Sequence, residues 1–399
     1  MLAAASPTAF GHALLEEWQL EPGLLYLNHG TVGATPRRVL AEQQRIRDEI
    51  ELHPSRYLLR ELSAVSSGSS TRGQPRLREA ADVVARFVGA KGEDLVFVDN
   101  TTAGVNAVLR SLDWREGDEI VLADVAYGAI TLAARYVARQ HGAQVRLFDL
   151  PYPITDPQQV VDAFVAALTP RTRLVIVDHI ASESALLLPV REIAEHCRAR
   201  GVLVLVDGAH APGALALDLP SLGVDWYTGN LHKWGMTPRS SAILWAPPAR
   251  QKDLHPPVIS WGLDQGFATE FDWAGTRDPS PHLSAPAAIS FMEWLGLERM
   301  RSYNHDLVWQ GANQLAARWG VSLGMPREMV GCMATVTLPE HAGSTREQAA
   351  ALRHALLYED RIEVPIHAWR GRLWTRLSAQ VYNEASDWER LGEAIDRRI

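Results

Sequence analysis

The chain has 399 residues, a formal net charge of −8 and 22% charged residues. That length accommodates about two to three domains, each able to bury a core. With no dense basic run, the charge argues against nucleic-acid partners and against a polybasic membrane attachment. No apolar stretch approaches the roughly 18 residues of a membrane span. Two cysteines, Cys197 and Cys332, are too few for a disulfide framework or a metal cluster, which points to a reducing, cytoplasmic setting. Residues Met1 to Phe10 are small and apolar but lack a basic leader, so no signal peptide is expected.

Along the chain, short β-rich runs alternate with helical periodicity. Strands are expected at 94–98, 119–123, 144–149, 174–178, 202–207 and 241–245. Helices are expected at 81–87, 104–112, 130–141, 160–168 and 190–200. This alternation predicts an α/β fold with a mainly parallel sheet flanked by helices. Ser66-Ser67-Gly68-Ser69-Ser70-Thr71-Arg72-Gly73 is the one low-complexity stretch and reads as a mobile loop or solvated linker. Apolar spacing in the segment from Val190 to Cys197 gives a buried stripe, which assigns Cys197 to the core rather than to chemistry. After Thr276, the prolines Pro279, Pro281 and Pro286 mark a boundary. The expected organisation is an N-terminal arm at 1–23, a large domain at 24–278 and a smaller C-terminal α/β domain at 279–399.

Two sites along this pattern carry chemistry. Asp99-Asn100-Thr101-Thr102-Ala103-Gly104 follows an expected strand and opens a helix. Free backbone N–H groups and the helix dipole at such a junction favour a phosphate, and threonine hydroxyls add donors. An ordinary N-cap would use the same residues. There is no Walker loop and no GxGxxG after any strand, which weakens a nucleotide reading. The second site is Lys233, one of three lysines in the chain with Lys91 and Lys252, in Asn230-Leu231-His232-Lys233. Arginine cannot be deprotonated in a protein, whereas lysine can form an imine with an aldehyde. Upstream, Asp207 ends the apolar run Val202-Leu203-Val204-Leu205-Val206. A strand-end carboxylate followed by such a lysine suits pyridoxal 5′-phosphate (PLP), whose ring nitrogen the aspartate keeps protonated.

Asn100-Thr101-Thr102, Asp207-Gly208-Ala209-His210, Asn230-Leu231-His232-Lys233 and Arg376-Leu377-Ser378 together resemble fold-type I PLP enzymes of the class V aminotransferase group. Within it the chain is most similar to the isopenicillin N epimerase branch. Supporting stretches are Leu27-Asn28-His29-Gly30-Thr31-Val32-Gly33, Ala126-Tyr127-Gly128-Ala129 and Gln380-Val381-Tyr382-Asn383. The resemblance implies that Lys233 binds the cofactor covalently and then shuttles the Cα proton, with Asp207 at the pyridine nitrogen. It places His210 at the phenolic oxygen and Tyr127 stacked on the ring. Thr101, Thr102 and His232 would hold the phosphate, with Ala103 and Asn230 in the same cofactor-binding set. Thr276 would reach the phosphate of a neighbouring subunit, which implies a homodimer. Arg376 would clamp the carboxylate of an amino-acid substrate, with Asn28 and His29 lining that side of the pocket.

The resemblance favours an epimerase or racemase acting at the α-carbon. C–S (β-elimination) lyase and aminotransferase chemistry are the alternatives within the group. A different class, a non-catalytic sensor or regulator on the same fold, would call for an added basic DNA-binding segment that the sequence lacks. Cysteine desulfurases of this superfamily carry a nucleophilic cysteine before the carboxylate-binding arginine. Ile366-His367-Ala368-Trp369-Arg370-Gly371 has none, which counts against that chemistry. Epimerisation needs proton delivery to both faces of a carbanion. Lys233 serves one face, and Tyr127, His29 or water are the candidates for the other.

Overall fold

The computed structural model describes residues 6–65 and 73–399, so all but Gly73 of the serine-rich run lies outside the described residues. Seven strands build the main sheet. They are β1 (Leu95–Val98), β2 (Glu119–Ala123), β3 (Gln144–Phe148), β4 (Thr172–Asp178), β5 (Leu203–Asp207), β6 (Trp226–Asn230) and β7 (Ala242–Trp245). Their spatial order is β1-β7-β6-β5-β4-β2-β3, and β7 alone runs antiparallel to its neighbours. The mainly parallel sheet expected from the sequence is therefore present.

The sheet separates two cores by strict alternation of side chains. Leu95, Phe97, Val175, Val177, Val204 and Val206 face one core. Val96, Val98, Leu174, Ile176 and Leu205 face the other. Helices cover both sides, so the inner strands read as unbroken apolar runs. Edge strand β3 is different: its residues are exposed or half-buried, and Gln144 and Arg146 keep that edge polar.

The helices that matter for the site are α1 (Arg37–Leu52), α2 (Arg76–Phe87), α3 (Thr101–Ser111), α4 (Gly128–His141), α5 (Gln158–Ala167) and α6 (Val190–Arg198). Each of α2 to α5 starts earlier than expected, because its first turn is polar and the apolar repeat begins only afterwards. The sequence reading gave no strand at β6 and no helix at α1. β6 contains Gly229 and Asn230, poor strand formers; a Cβ on Gly229 would lie 2.9 Å from Pro212. Cys197 lies in the buried stripe of α6.

C-terminal to these, β8 (Met333–Thr337), β9 (Ile366–Trp369) and β10 (Arg372–Ser378) form an antiparallel sheet with β10 in the centre. Near the start of the chain, Leu25 and Tyr26 pair in parallel with Ile362 and Glu363. This ladder ties residues just before Asn28 to the C-terminal part of the chain. Among the described residues no helix is long and apolar enough to cross a membrane.

Helix α3 lies close to β6 at Gly104, where an added Cβ would sit 2.2 Å from Thr228 Oγ1. Thr228 is held there by donating to the Ile243 carbonyl at 2.9 Å. Gly104→Ala is expected to destabilise the fold by about 1–3 kcal/mol through overpacking, despite alanine's better helix propensity. Gly128→Ala, with nothing within 4 Å of the new methyl, should show no loss. Urea unfolding of the two variants checks both.

Candidate active site

The parallel strands bring their carboxyl ends to one side of the sheet, where open α/β sheets bind ligands. A cavity of about 390 Å³ lies there. Its wall is contributed strand by strand: Asn100, Thr101 and Thr102 after β1, Tyr127 after β2, and Asp178 and Ser182 from the end of β4 onward. Asp207, Ala209 and His210 follow from β5, Asn230, His232 and Lys233 from β6, and Thr31 from the N-terminal segment.

Lys233 sits on a loop that must bend sharply between β6 and β7. Met236 and Ser240 take left-handed conformations, with φ of 58° and 66°, an uncommon and costly state that clusters at functional sites. Gly33 and Gly213, both also at positive φ, press against this loop. A Cβ would lie 2.0 Å from the His232 carbonyl oxygen at the first and 2.1 Å from that of Trp234 at the second. Lys233 Nζ lies 3.1 Å from His210 Nε2. With the lysine as donor, the imidazole proton resides on Nδ1. Desolvation pushes Lys233 down to about 8, and the positive charge of Arg376 adds to this against Asp207 and Asp178. Burial, reinforced by Lys233 and Arg376, likewise holds His210 well below the usual histidine range.

Several polar atoms in this wall have no partner. Asp207 accepts the Ala209 N–H on Oδ1 at 2.9 Å and leaves Oδ2 unbonded. His210 Nδ1 and Thr101 Oγ1 are also buried and unpartnered. Three such atoms around one cavity leave it two side chains able to donate and one able to accept toward a ligand. At the start of α3 the Thr101 N–H is given to Asn230 Oδ1 and that of Ala103 to Asn100 Oδ1, both at 2.9 Å. His232 Nδ1 lies 3.2 Å from the Ser241 carbonyl.

Arg376, in β10, is buried and stands just outside the cavity wall. Its guanidinium donates to Ser182 O at 2.6 Å, Thr31 Oγ1 at 2.5 Å and Asn28 Oδ1 at 3.4 Å. Burial lowers it to about 10, which leaves it cationic at neutral pH. Its sequence neighbours are engaged elsewhere, Arg370 with Asp124 at 3.2 Å and Arg372 with Glu340 at 3.4 Å. Asn28 also donates to Glu363 at 2.7 Å.

Two expectations need correction. His29 is not on the substrate side of the pocket. It is fully buried, with Nδ1 2.9 Å from Tyr382 Oη and Nε2 3.2 Å from the Lys233 carbonyl. It therefore braces the lysine loop from behind, and burial holds it near 4, neutral. Ala103 is not in the cavity wall, and its N–H serves the helix cap. Thr276, expected to serve a neighbouring subunit, is exposed and lies outside the wall of its own chain. Tyr127, by contrast, is 48% exposed and borders the cavity, so it is no core tyrosine.

Asp178 and Ser182 were missed by sequence reasoning, whereas Thr31 lies in the quoted stretch at 27–33. Ser182 carries no motif of its own. Asp178 did leave a signal: Leu174-Val175-Ile176-Val177-Asp178 repeats the pattern Leu203-Val204-Leu205-Val206-Asp207 almost residue for residue.

The aminotransferase class-V family matches residues 49–390, most of the chain. The chain belongs to the class V aminotransferase family. It is 34% identical to an isopenicillin N epimerase from Amycolatopsis lactamdurans, covering 97% of this chain and 98% of that protein. It is 33% identical to the isopenicillin N epimerase of Streptomyces clavuligerus, over 94% of this chain and 95% of that protein. It is also 31% identical to a probable chloroplastic L-cysteine desulfhydrase from Arabidopsis thaliana, over 94% of this chain and 83% of that protein. In fold it resembles an apo cysteine desulfurase from Thermococcus onnurineus NA1, with TM-score 0.79, 20% identity and 99% of both chains covered. A complex of the cystine C–S lyase C-DES with cysteine persulfide gives TM-score 0.74 at 22% identity, covering 94% of this chain and 97% of that one.

This class V enzyme is PLP-dependent. The unpartnered atoms suit that cofactor. Asp207 Oδ2 is an acceptor for a protonated ring nitrogen, His210 Nδ1–H a donor for a phenolate, and Thr101 Oγ1 at a helix N-terminus a donor for phosphate.

An amine attacks an aldehyde only when it is unprotonated. Since Lys233 is lowered to about 8, cofactor loading of the apoprotein should accelerate as pH rises through about 8 and level off above it. Stopped-flow absorbance during PLP addition measures this. A rate still climbing steeply well above pH 9 would contradict the desolvated lysine.

Proposed function

We propose that this enzyme is a C–S lyase that eliminates a thiol or sulfide from the β-carbon of a cysteine-type amino acid. The observation that carries the reading is the 3.1 Å contact between Lys233 Nζ and His210 Nε2, together with the removal of His29 from the pocket. The proton-handling groups then stand together beside the lysine, which suits one base working on one side.

Bound PLP supplies an electron sink for the pair left at Cα when its proton departs. Asp207, anchored by the Ala209 N–H, would hold the ring nitrogen cationic through Oδ2. Thr101 and Thr102 at the start of α3, with His232, would take the phosphate, Tyr127 would pack beside the cofactor, and Arg376 would fix the substrate carboxylate. Lys233 Nζ would accept the Cα proton and return it to the sulfur that leaves Cβ. With one water, a cysteine-type substrate would give thiol, pyruvate and ammonium. Cys197 and Cys332 are both buried and unpaired, and burial pushes each thiol up to about 12. Neither serves as a sulfur-accepting nucleophile.

Epimerisation is the second reading. It is favoured by Tyr127, whose phenol borders the cavity from β2 while Lys233 approaches from β6. The purified holoenzyme, given cysteine, cystine and S-substituted cysteines in heavy water, separates the two. Pyruvate and ammonium are expected in equal amounts with sulfide from cysteine, thiol from S-substituted cysteines and cysteine persulfide from cystine, all lost in Lys233→Ala. Recovered amino acid, deuterated and inverted at Cα without pyruvate, would instead establish an epimerase.

The homodimer has a candidate surface. Val258, Ile259, Trp261 and Leu263 are all exposed, Trp261 by 80%, in the loop that leads toward Thr276. Exposed apolar side chains gathered on one short loop suit a surface that is covered by another chain. Trp261→Glu is expected to shift sedimentation from dimer toward monomer. An unchanged dimer would place the interface elsewhere.

A further inference from the structure

Arg376 is buried, and among the described residues every oxygen that accepts from it is neutral. Nη1 donates to the Ser182 carbonyl at 2.6 Å, and Nη2 donates to Thr31 Oγ1 at 2.5 Å and Asn28 Oδ1 at 3.4 Å. Nε is buried without a partner. The Thr31 hydroxyl in turn donates to Asn28 Oδ1, so these groups close a ring around one guanidinium nitrogen. A carboxylate stands one bond further out. Glu363 accepts Asn28 Nδ2 at 2.7 Å. Its backbone is fixed close by, since Glu363 pairs with Tyr26 and its carbonyl accepts the Leu27 N–H at 2.9 Å. Two residues on, the Pro365 carbonyl accepts the Arg376 N–H at 3.1 Å. One short segment, 363–365, thus holds the Arg376 backbone at one end and the Asn28 amide at the other.

We propose that Glu363 is a positioning residue for Arg376, fixing the Asn28 amide so that its oxygen rather than its NH2 faces the guanidinium. The proposal rests on Arg376 being the clamp for a substrate carboxylate, and it holds for elimination and epimerisation alike.

An asparagine amide has an acceptor on one side and two donors on the other, whereas a carboxylate only accepts and a guanidinium only donates. Between Glu363 and Arg376 one orientation satisfies both, with Nδ2 toward the carboxylate and Oδ1 toward Nη2. Without an acceptor at 363 the amide is free to turn over, and its NH2 then faces the guanidinium donors and the Thr31 hydroxyl. A carboxylate bonded directly to Arg376 would order it too, but would occupy the donors that a substrate carboxylate needs. An amide between the two orders the guanidinium and leaves Nε open. Burial lowers Arg376 to about 10, with the exposed Glu183 opposing. The cation therefore persists at neutral pH to meet a carboxylate.

The holoenzyme is titrated with glycine, which has a carboxylate but no group to eliminate, and with methylamine, which lacks the carboxylate. The absorbance change of bound PLP gives a dissociation constant for each without turnover. Glu363→Leu is expected to weaken glycine roughly tenfold, the scale of one lost charge-assisted hydrogen bond, and to leave methylamine within about twofold. Asn28→Ala should do the same, and the double variant should be no worse than either, because one orientation is lost once. Glu363→Gln should recover most of the loss, since its amide oxygen still accepts Nδ2. Unchanged glycine binding in Glu363→Leu, an equal loss for methylamine, losses that add in the double variant, or a Glu363→Gln as weak as the leucine each overturn the proposal. If Glu363→Leu does not fold, Glu363→Asp, which withdraws the acceptor by one methylene, takes its place with the same expectations. Arg376→Ala tests the reading beneath. Glycine bound as well there as in the native enzyme would remove the clamp and the proposal together, whereas glycine weakened there but not in Glu363→Leu sinks the proposal alone.

Discussion

The site depends on taking a lysine amine out of water. An ammonium in a poorly solvated pocket loses hydration that nothing fully replaces, so its proton becomes easier to lose. Around Lys233 the compensation is deliberately incomplete. Asp207 and Asp178 oppose the shift, but the buried guanidinium of Arg376 reinforces it. His210 offers a neutral acceptor rather than a negative charge. The resulting amine sits near 8, where it can both attack an aldehyde and carry a proton at physiological pH.

Such an arrangement costs stability, and the sheet bears the cost. Unpartnered atoms on Asp207, His210 and Thr101 are each penalties in the ligand-free protein. They persist because each is fixed at a strand end or helix start whose position is set by two large cores. The lysine loop, which no regular ladder holds, is braced by other means. His29 meets the Lys233 carbonyl from behind and is itself held by Tyr382. Gly33 and Gly213 let neighbouring backbone approach within contact of the loop's carbonyls. Arg376 in turn connects the N-terminal segment, through Thr31 and Asn28, to the loop after β4 at Ser182. The setting of the buried Arg376 guanidinium is therefore assembled from three distant parts of the chain.

How far the sequence disclosed this follows from how local each feature is. The parallel sheet was legible because inner strands are unbroken apolar runs and their helices repeat with the right period. Helix starts were not, since a first turn such as Thr101-Thr102 is polar by function. β6 was hidden because Gly229 and Asn230 answer to packing and to the pocket rather than to strand propensity. Lys233, Asp207 and Thr101 stood out through motifs that sit at strand ends. His29 misled because a motif gives proximity but not the direction of a side chain, and only the fold turns its ring toward Tyr382. Asp178 repeats the Asp207 pattern but was passed over, and only the β4–β5 register shows that the two residues stand side by side.

The scarcity of lysine acquires a physical meaning in this setting. Lys91 and Lys252 are exposed; apart from Lys233, every other Lys/Arg position is an arginine, which cannot form an imine. Lowering an amine from 10.5 to about 8 raises its unprotonated fraction at neutral pH by roughly a hundredfold or more, since each unit is about tenfold. Arginine elsewhere supplies charge, ion pairs and the carboxylate clamp without competing for an aldehyde. Selectivity for one attachment point thus arises twice, from a composition that removes rivals and from a cavity that deprotonates the residue left inside it. The desolvation that would make Lys233 a nucleophile would also make it a base, so in the proposed reaction cofactor attachment and proton transfer at Cα would share one physical origin.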